Sequence, residues 1–322
     1  MAENVLTARL AALNIPRNTK QLLSTLSGLV LLCIAFSFLS EYFFSLQNFL
    51  TVATQTAVIA IIAIGQTYVM ITGGIDLSIG SNMALAGMAS ALCLQTGMPA
   101  LAAIIVGLVS GALVGFINGA FVSFGKLPPF IATLGTMTAI RGVSLTLTAG
   151  IPISGLPKAF TVWGTDASLG IPHPVYVMAA LTIVFGFILA KTRPGRYVYA
   201  VGSNYEAARL SGVNTRRVII MVYVFSGLLA AFAGLIMAAR ITTAQPTAGD
   251  GYELDAVASS VIGGTSTMGG EGTVAGTFIG AFVIGILRNG LNLIGVSPFI
   301  QKIVIGIVIV ASVFLDRIKR KE

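Results

Sequence analysis

The chain has 322 residues, of which 56% are hydrophobic and only 9% are charged. Soluble domains carry roughly 25% charged residues, so this composition excludes a soluble enzyme and predicts an all-α polytopic membrane protein. The net charge of +8 would also suit a nucleic-acid-binding protein, but the Lys and Arg residues flank apolar stretches, so we expect no nucleic-acid partner.

Apolar stretches bounded by Gly, Pro or charged residues predict about ten transmembrane helices. The eighth stretch is short for a hydrocarbon core roughly 30 Å thick and ends in two glycines, so a broken helix is the alternative there. In chain order, the ten stretches are 22–40, 51–71, 78–95, 100–124, 130–148, 175–190, 218–239, 255–267, 274–287 and 299–314.

The distribution of Lys and Arg predicts the orientation of these helices. The basic residues concentrate before the first stretch, between residues 191 and 217, and after the last stretch. With ten crossings these three regions share one side, which the positive-inside rule identifies as the cytoplasm. We therefore expect a cytoplasmic N-terminal segment (1–21), a membrane domain (22–315) with a cytoplasmic loop at 191–217, and a cytoplasmic C-terminal tail (316–322).

A glycine-rich turn with an acidic residue follows the second stretch. It reads GGIDLSIG over residues 73–80 and places Asp76 between two apolar helices. An ionisable residue at membrane depth is by default a functional candidate, whereas an Asp at this position can also cap the next helix. Residues 262–270 form a second glycine-rich turn and suggest a parallel internal repeat, although chance similarity between two glycine-rich turns is an equally good explanation.

Neutral polar side chains inside the apolar stretches suit a polyhydroxylated solute crossing the bilayer. Hydrogen bonds between helices are the alternative explanation for such residues. The candidates for the translocation path are Gln66, Asp76, Ser78, Asn118, Thr133 and Asn289.

Gly107, Gly111, Gly115 and Gly119 lie four residues apart in the fourth stretch. Small residues at this spacing form a flat stripe on which a second helix can pack closely. The stripe predicts static packing inside the bundle, with a moving contact or a dimer interface as the alternative.

The polar loop at 191–217 contains a short helix. Residues 203–206 fit a capping box, with Ser203 and Glu206 as its ends, and Gly212 supplies a left-handed stop. Ala207 and Ala208 would give this helix a small face that fits a groove of a partner, with Glu206 and Arg209 at the rim. A basic loop that contacts anionic lipid is the alternative.

Catalytic and cofactor motifs are missing from the sequence. The nearest approach to a P-loop, at 119–126, has the wrong spacing and Leu127 in place of Ser or Thr. The sequence has a single histidine, His173, and two cysteines in apolar segments. We expect no catalytic residues, no metal site and no cofactor.

Four motifs carry a family resemblance: GGIDLSIGS (73–81), GRYVYAVGSNYEAARLSGVN (195–214), AQPTAGDGYELDAVASSVIGGTSTMGGEGTVAGT (244–277) and NGLNLIGVS (289–297). The chain resembles, from about residue 41 onward, the permease subunits of bacterial binding-protein-dependent ABC importers for monosaccharides. The resemblance implies a non-enzymatic permease of the inner membrane that imports a monosaccharide, with ribose as the first expectation. Permeases for galactose, xylose, arabinose and allose share the motifs.

The resemblance also implies partners. Two copies of the permease would form a homodimer that binds separate ATPase subunits inside and a periplasmic sugar-binding protein outside. The loop at 191–217 would couple the permease to the ATPase through Asn204, Glu206, Ala207, Ala208, Arg209 and Gly212.

A secondary transporter that works without an ATPase is the rival interpretation. Its proton-coupling carboxylate would be Asp76, Glu253, Asp255 or Glu271. The docking-type helix predicted in the polar loop argues against this class.

Overall fold

The computed structural model describes residues 17–319, with side chains for residues 22–311 and for Phe314. This part of the chain is almost entirely helical. The helices are α1 (Arg17–Leu39), α2 (Leu46–Ile71), α3 (Ile79–Gln95), α4 (Ala100–Ser123), α5 (Pro129–Thr146), α6 (Lys158–Thr165), α7 (His173–Lys191), α8 (Arg193–Ser203), α9 (Tyr205–Leu210), α10 (Thr215–Arg240), α11 (Tyr252–Ile262), α12 (Val274–Leu293) and α13 (Pro298–Lys319). The predicted segment 1–21 lies mostly outside the described residues, as do the last three residues of the predicted tail.

Each of the ten predicted stretches contains a helix, with changes at the ends. α2 begins five residues early because Ser45 caps it, accepting a hydrogen bond from the backbone N–H of Asn48. α11 ends at Ile262 instead of 267, since Gly264 has a φ of +93° that a helix cannot adopt. α12 continues six residues beyond its predicted end, to Leu293.

Among the described residues, six helices are long and apolar enough to cross a membrane. They cover Leu22–Leu39, Leu46–Ile71, Ala100–Ser123, His173–Lys191, Thr215–Arg240 and Val274–Leu293. α13 adds a shorter apolar stretch, Pro298–Ala311. Length and composition therefore establish an all-α, multi-pass membrane protein.

α2 lies at the centre of the bundle. Every residue from Thr56 to Ile71 is buried, which is the behaviour of a helix that is apolar all round. Tyr68 in this helix donates a hydrogen bond to the backbone carbonyl of Phe185 in α7, 2.5 Å away, and its ring packs edge-on against Phe225 of α10. α7 and α10 therefore enclose α2.

The glycine stripe of α4 packs against α10 of the same chain. A Cβ atom added to Gly119 would lie 2.7 Å from the Cα of Ile220, and one added to Gly115 would lie 2.9 Å from the backbone carbonyl carbon of Tyr223. The two backbones approach this closely only because glycine has no side chain. The predicted packing inside the bundle is confirmed, and the dimer-interface alternative is wrong for this stripe because α10 already covers it.

α8 and α9 lie at one end of the bundle. Four short strands and the short helix α6 cover the other end. β1 (Ile153–Ser154) pairs antiparallel with β4 (Thr243–Ala244), and β2 (Ala167–Ser168) pairs with β3 (Ile171–Pro172). Lys158 forms an ion pair with Asp166 at 2.5 Å, and this hydrogen bond holds the pKa of the Asp166 carboxyl below its usual range. These contacts order the long connection between α5 and α7.

Candidate functional site

The basic segment, residues 191–217, holds two helices instead of the one that its sequence predicts. α8 packs into the core through Val198 and Val201, both fully buried. Thr192 caps α8 by accepting a hydrogen bond from the N–H of Gly195, and Pro194 lies in the first turn. This start signal is present in the sequence, although the polarity of the segment obscures it.

The capping box predicted for α9 is wrong by one residue. Ser203 is the last residue of α8, and the side chain of Asn204 caps α9 by accepting from the N–H of Ala207 at 2.9 Å. The Glu206 carboxylate does not fold back onto the backbone at the start of α9. It forms an ion pair with Arg209 at 2.9 Å instead. Asn204 has the extended backbone that an N-cap needs, which explains its advantage over Ser203.

The C-terminal stop of α9 is confirmed at Gly212, which has a φ of +83°. The predicted small face is wrong in part, because consecutive helical residues point about 100° apart. Ala207 is exposed, whereas Ala208 is 6% exposed and packs into the core. Five of the six candidate coupling residues therefore lie on the surface: Asn204, Glu206, Ala207, Arg209 and Gly212.

The two glycine-rich turns contact each other at the end of the bundle where α8 packs. The first turn, 72–78, follows α2, and the second, 263–273, joins α11 to α12. The N–H of Gly270 donates a hydrogen bond to the carbonyl of Ile71 at 2.8 Å. From α8, the hydroxyl of Tyr199 donates to the carbonyl of Gly272 at 2.6 Å. The two glycine-rich segments thus meet in space.

Asp76 is the centre of a buried polar cluster. One carboxylate oxygen accepts from the N–H and the hydroxyl of Ser78, at 2.9 and 2.6 Å. The other accepts from the hydroxyl of Ser226 in α10 at 2.7 Å. Asp76 is 1% exposed, and no Lys or Arg in the described part of the chain forms an ion pair with it. The prediction that Asp76 caps the next helix is wrong, because Ser78 is the N-cap of α3 and the Asp76 carboxylate contacts the N–H of Ser78 instead of that of a residue in the first turn.

Four other candidate path residues belong to the same cluster. The Gln66 amide oxygen accepts from the N–H of Asp76 at 3.3 Å, and the Asn118 amide donates to the Ser78 hydroxyl at 2.8 Å. The hydroxyl of Thr133 donates to the carbonyl of Ile75 at 3.1 Å. The first turn is therefore held by side chains of α2, α4 and α5.

The cluster has unused hydrogen-bonding capacity. Four fully buried polar atoms around it have no hydrogen-bond partner among the described residues: Gln66 Nε2, Asn82 Oδ1, Asn118 Oδ1 and Tyr223 Oη. Buried polar atoms are normally paired, and an unpaired one costs about 1–3 kcal/mol. Ser226, Asn82 and Tyr223 were missed as candidates from the sequence; each is a polar residue within an apolar helix, which is the signal that selected Gln66 and Asn118.

Asn289 lies apart from this cluster, near the other end of α2. Its amide exchanges two hydrogen bonds with the amide of Asn48, at 2.9 and 3.1 Å. The pair joins α12 to the start of α2. Asn48 was also missed, because it lies before the apolar stretch predicted for that helix.

An ion pair joins α11 to α12. Arg288 contacts both carboxylate oxygens of Asp255, at 2.6 and 2.9 Å, and Asp255 is fully buried. Glu253 accepts a hydrogen bond from the N–H of Gly251 at 3.2 Å. Of the four carboxylates considered for proton coupling, Asp255 therefore already has a cationic partner.

The described residues contain no group of three or more His, Cys, Asp or Glu side chains that could hold a metal ion. His173 contributes to the ordered connection between α5 and α7, where Nδ1 lies 2.8 Å from the carbonyl of Val162 and Nε2 lies 2.9 Å from the Ser168 hydroxyl.

Comparison with known proteins matches residues 48–313 to the family described as "Branched-chain amino acid transport system / permease component". Among individual proteins, the chain is 44% identical over 301 residues to the ribose import permease protein of Escherichia coli strain K12, covering 92% of this chain and 94% of the relative. It is 46% identical over 301 residues to the ribose import permease protein of Bacillus subtilis strain 168, covering 93% and 94%. The D-allose transport system permease protein of Escherichia coli strain K12 is 37% identical over 293 residues, covering 91% and 90%.

Proposed function

The chain belongs to the family of transport-system permease components that its sequence matches, and on this premise we propose that it is the permease subunit of a bacterial ABC importer for a monosaccharide, with ribose as the cargo. The ribose permeases support this choice of cargo, since they are more similar to the chain than the allose permease is. The family description names branched-chain amino acids, so leucine is the control cargo.

The proposed topology has ten membrane crossings, with both termini in the cytoplasm of a bacterium and the domain in its inner membrane. The presence of one helix in each of the ten predicted stretches supports this count, and the positive-inside rule supports the orientation. We retain the boundaries 1–21, 22–315 and 316–322 for the N-terminal segment, membrane domain and tail. The turn end of the bundle is then the cytoplasmic end, and the β1–β4 and β2–β3 pairs lie outside.

The energy source in this proposal is a separate ATPase subunit, because the sequence lacks a P-loop. α9 would bind the ATPase through its exposed residues Asn204, Glu206, Ala207, Arg209 and Gly212. Ala208 would hold α9 against the membrane domain, since its side chain is buried in the core. A periplasmic sugar-binding protein would deliver the cargo on the outer side, and a second copy of the chain would complete the path. The subunit itself is proposed to be neither an enzyme nor a cofactor-binding protein.

The proposed path passes the Asp76 cluster. Its unpaired donors and acceptors suit the hydroxyl groups of a sugar, and Gln66, Asp76, Ser78, Asn118 and Thr133 come from several elements that can separate when the bundle tilts. Asn289 would act near the outer end, where it pairs with Asn48. ATP-driven closure of the partner would move α9 and switch the bundle between inward-facing and outward-facing states.

Uptake of radiolabelled solutes by a strain lacking this gene tests the proposal. We expect ribose uptake to be lost, with leucine uptake unchanged, and a plasmid copy of the gene to restore it. Loss of another sugar with normal ribose uptake would contradict the cargo, and loss of leucine uptake alone would contradict the sugar class.

A further inference from the structure

Gly202, next to the last residue of α8, lies against the end of α2 and against the second glycine-rich turn. A Cβ atom at this position would overlap the carbonyl oxygen of Ile71 and would lie 2.8 Å from the backbone nitrogen of Gly270. No side chain therefore fits between α8 and the two turns. The contact is one of backbone on backbone.

The second turn also lies close to α8 and to the first turn. A Cβ atom on Gly269 would lie 3.0 Å from the carbonyl oxygen of Gly202 and 3.1 Å from the backbone nitrogen of Gly73. Gly269 and Gly270 have φ angles of +89° and +77°, which side chains rarely tolerate. Three backbone segments thus meet at one point, from α8 and from each turn.

Hydrogen bonds hold the three segments together. Gly270 N–H donates to the carbonyl of Ile71, which links the second turn to the end of α2, and the Tyr199 hydroxyl donates to the carbonyl of Gly272, which links α8 to the second turn. Val198 and Val201 anchor the same helix in the core. Backbone contacts are stiff compared with contacts between flexible side chains, so displacement of α8 moves its neighbours.

α8 is also tied closely to the exposed helix α9. Asn204 alone separates them, and it serves both as the C-cap of α8 and as the N-cap of α9. Movement of α9 is therefore transmitted directly to α8, because no flexible linker lies between the two helices. From α8, the contacts lead to the end of α2 through Ile71 and to the turn between α11 and α12 through Gly272.

We propose that Gly202 and Tyr199 form a joint that transmits movement of α9 to both glycine-rich turns at once, so that the α2–α3 and α11–α12 helix pairs move together. The inference rests on the proposed function, in which a partner ATPase binds α9. Gly202 and Tyr199 are positioning residues in this scheme, since neither contacts the cargo. Their role differs from that of Ala207, which lies on the exposed partner-binding surface.

The test uses the full transporter, assembled from this chain, its ATPase and its binding protein, with the variants Gly202→Ala and Tyr199→Phe. We expect Gly202→Ala to reduce sugar uptake by about tenfold, within the usual range of coupling effects, and Tyr199→Phe to reduce it less. Both variants should still co-purify with the ATPase and hydrolyse ATP. Hydrogen exchange at the backbone of residues 269–272 should become faster in Tyr199→Phe, which a change in partner binding would not cause.

Two substitutions serve as matched controls. Gly142→Ala adds the same methyl group to a helical glycine at which a Cβ atom would have no neighbour within 4 Å among the described residues outside its own helix backbone. Tyr42→Phe removes a hydroxyl from a side chain that is 75% exposed. Both should transport at the wild-type rate.

The outcomes separate the two proposals. If wild-type protein co-purifies with the ATPase but Tyr199→Phe and Gly202→Ala transport normally, the joint is overturned and the proposed function stands. If Gly202→Ala does not fold, normal uptake and normal exchange in Tyr199→Phe overturn the joint alone. If the wild-type chain does not associate with any ATPase, the proposed function fails and the joint fails with it.

Discussion

The carboxylate of Asp76 accepts a hydrogen bond from the hydroxyl of Ser226 at 2.7 Å, across 150 residues of sequence. This bond joins the first glycine-rich turn to the middle of α10. It also leaves the Asp76 carboxylate buried, where it accepts hydrogen bonds from the neutral groups of Ser78 and Ser226. The turn is thereby fixed between α2, α4, α5 and α10.

Removing the Asp76 carboxylate should destabilise the protein. Asp76→Ala leaves the hydroxyls of Ser78 and Ser226 without their acceptor, and each unpaired buried group costs about 1–3 kcal/mol. We expect a lower melting temperature for the purified protein in detergent. Asp76→Asn keeps one acceptor oxygen and should therefore lower the melting temperature less than Asp76→Ala does. A melting temperature equal to that of the wild type in Asp76→Ala would show that the cluster does not hold the turn.

The Asp255–Arg288 pair should show strong coupling in a double-mutant cycle. Arg288→Met leaves a buried carboxylate without its cation, which costs about 3–5 kcal/mol in comparable buried pairs. Asp255→Asn combined with Arg288→Met should recover part of this loss. Thermal unfolding of the single and double variants measures the coupling, and additive effects would contradict the pairing.

The glycine stripe predicts a steric effect that depends on position. Gly115→Ala places a methyl group against the backbone of Tyr223 and should destabilise the bundle by about 1–3 kcal/mol. Gly135→Ala is the control, because a Cβ atom there has no neighbour within 4 Å. Thermal melting distinguishes the two; equal melting temperatures would mean that α4 and α10 are not in this close contact.

A bulky charge on α9 should uncouple transport without disturbing the membrane domain. Ala207 is exposed, so Ala207→Arg can fold but would obstruct a partner groove. We expect sugar uptake and co-purification with the ATPase to be lost, while the amount of protein in the membrane fraction stays unchanged. Ala207→Ser is the conservative control and should retain uptake. Normal uptake in Ala207→Arg would reject the assignment of α9 as the binding element.

Apolar patterning was sufficient to find ten of the thirteen helices in the described part of the chain, because burial in lipid or in the bundle imposes continuous hydrophobicity. It was not sufficient to find α8, whose buried face consists of little more than Val198 and Val201 within a polar segment. Local signals set the ends of α2 and α11, at Ser45 and Gly264, whereas the misplaced end of α12 involves partners far along the chain. α12 continues past its predicted end, and Arg288 and Asn289 there meet Asp255 and Asn48.

Local rules also left competing choices unresolved. Ser203 and Asn204 both satisfy the composition of an N-cap, and only the backbone geometry assigns the cap to Asn204. The polar pattern selected five members of the Asp76 cluster, but it could not show that they contact one another, since these contacts depend on how α2, α4 and α5 pack.

Reconstitution into lipid vesicles tests most directly whether this chain depends on a separate ATPase. We expect labelled sugar to accumulate against its gradient only when the chain is combined with its ATPase subunit, its binding protein and ATP. Omission of any one of them should abolish accumulation. Accumulation by the chain alone, driven by a proton gradient, would contradict the account and identify a secondary transporter.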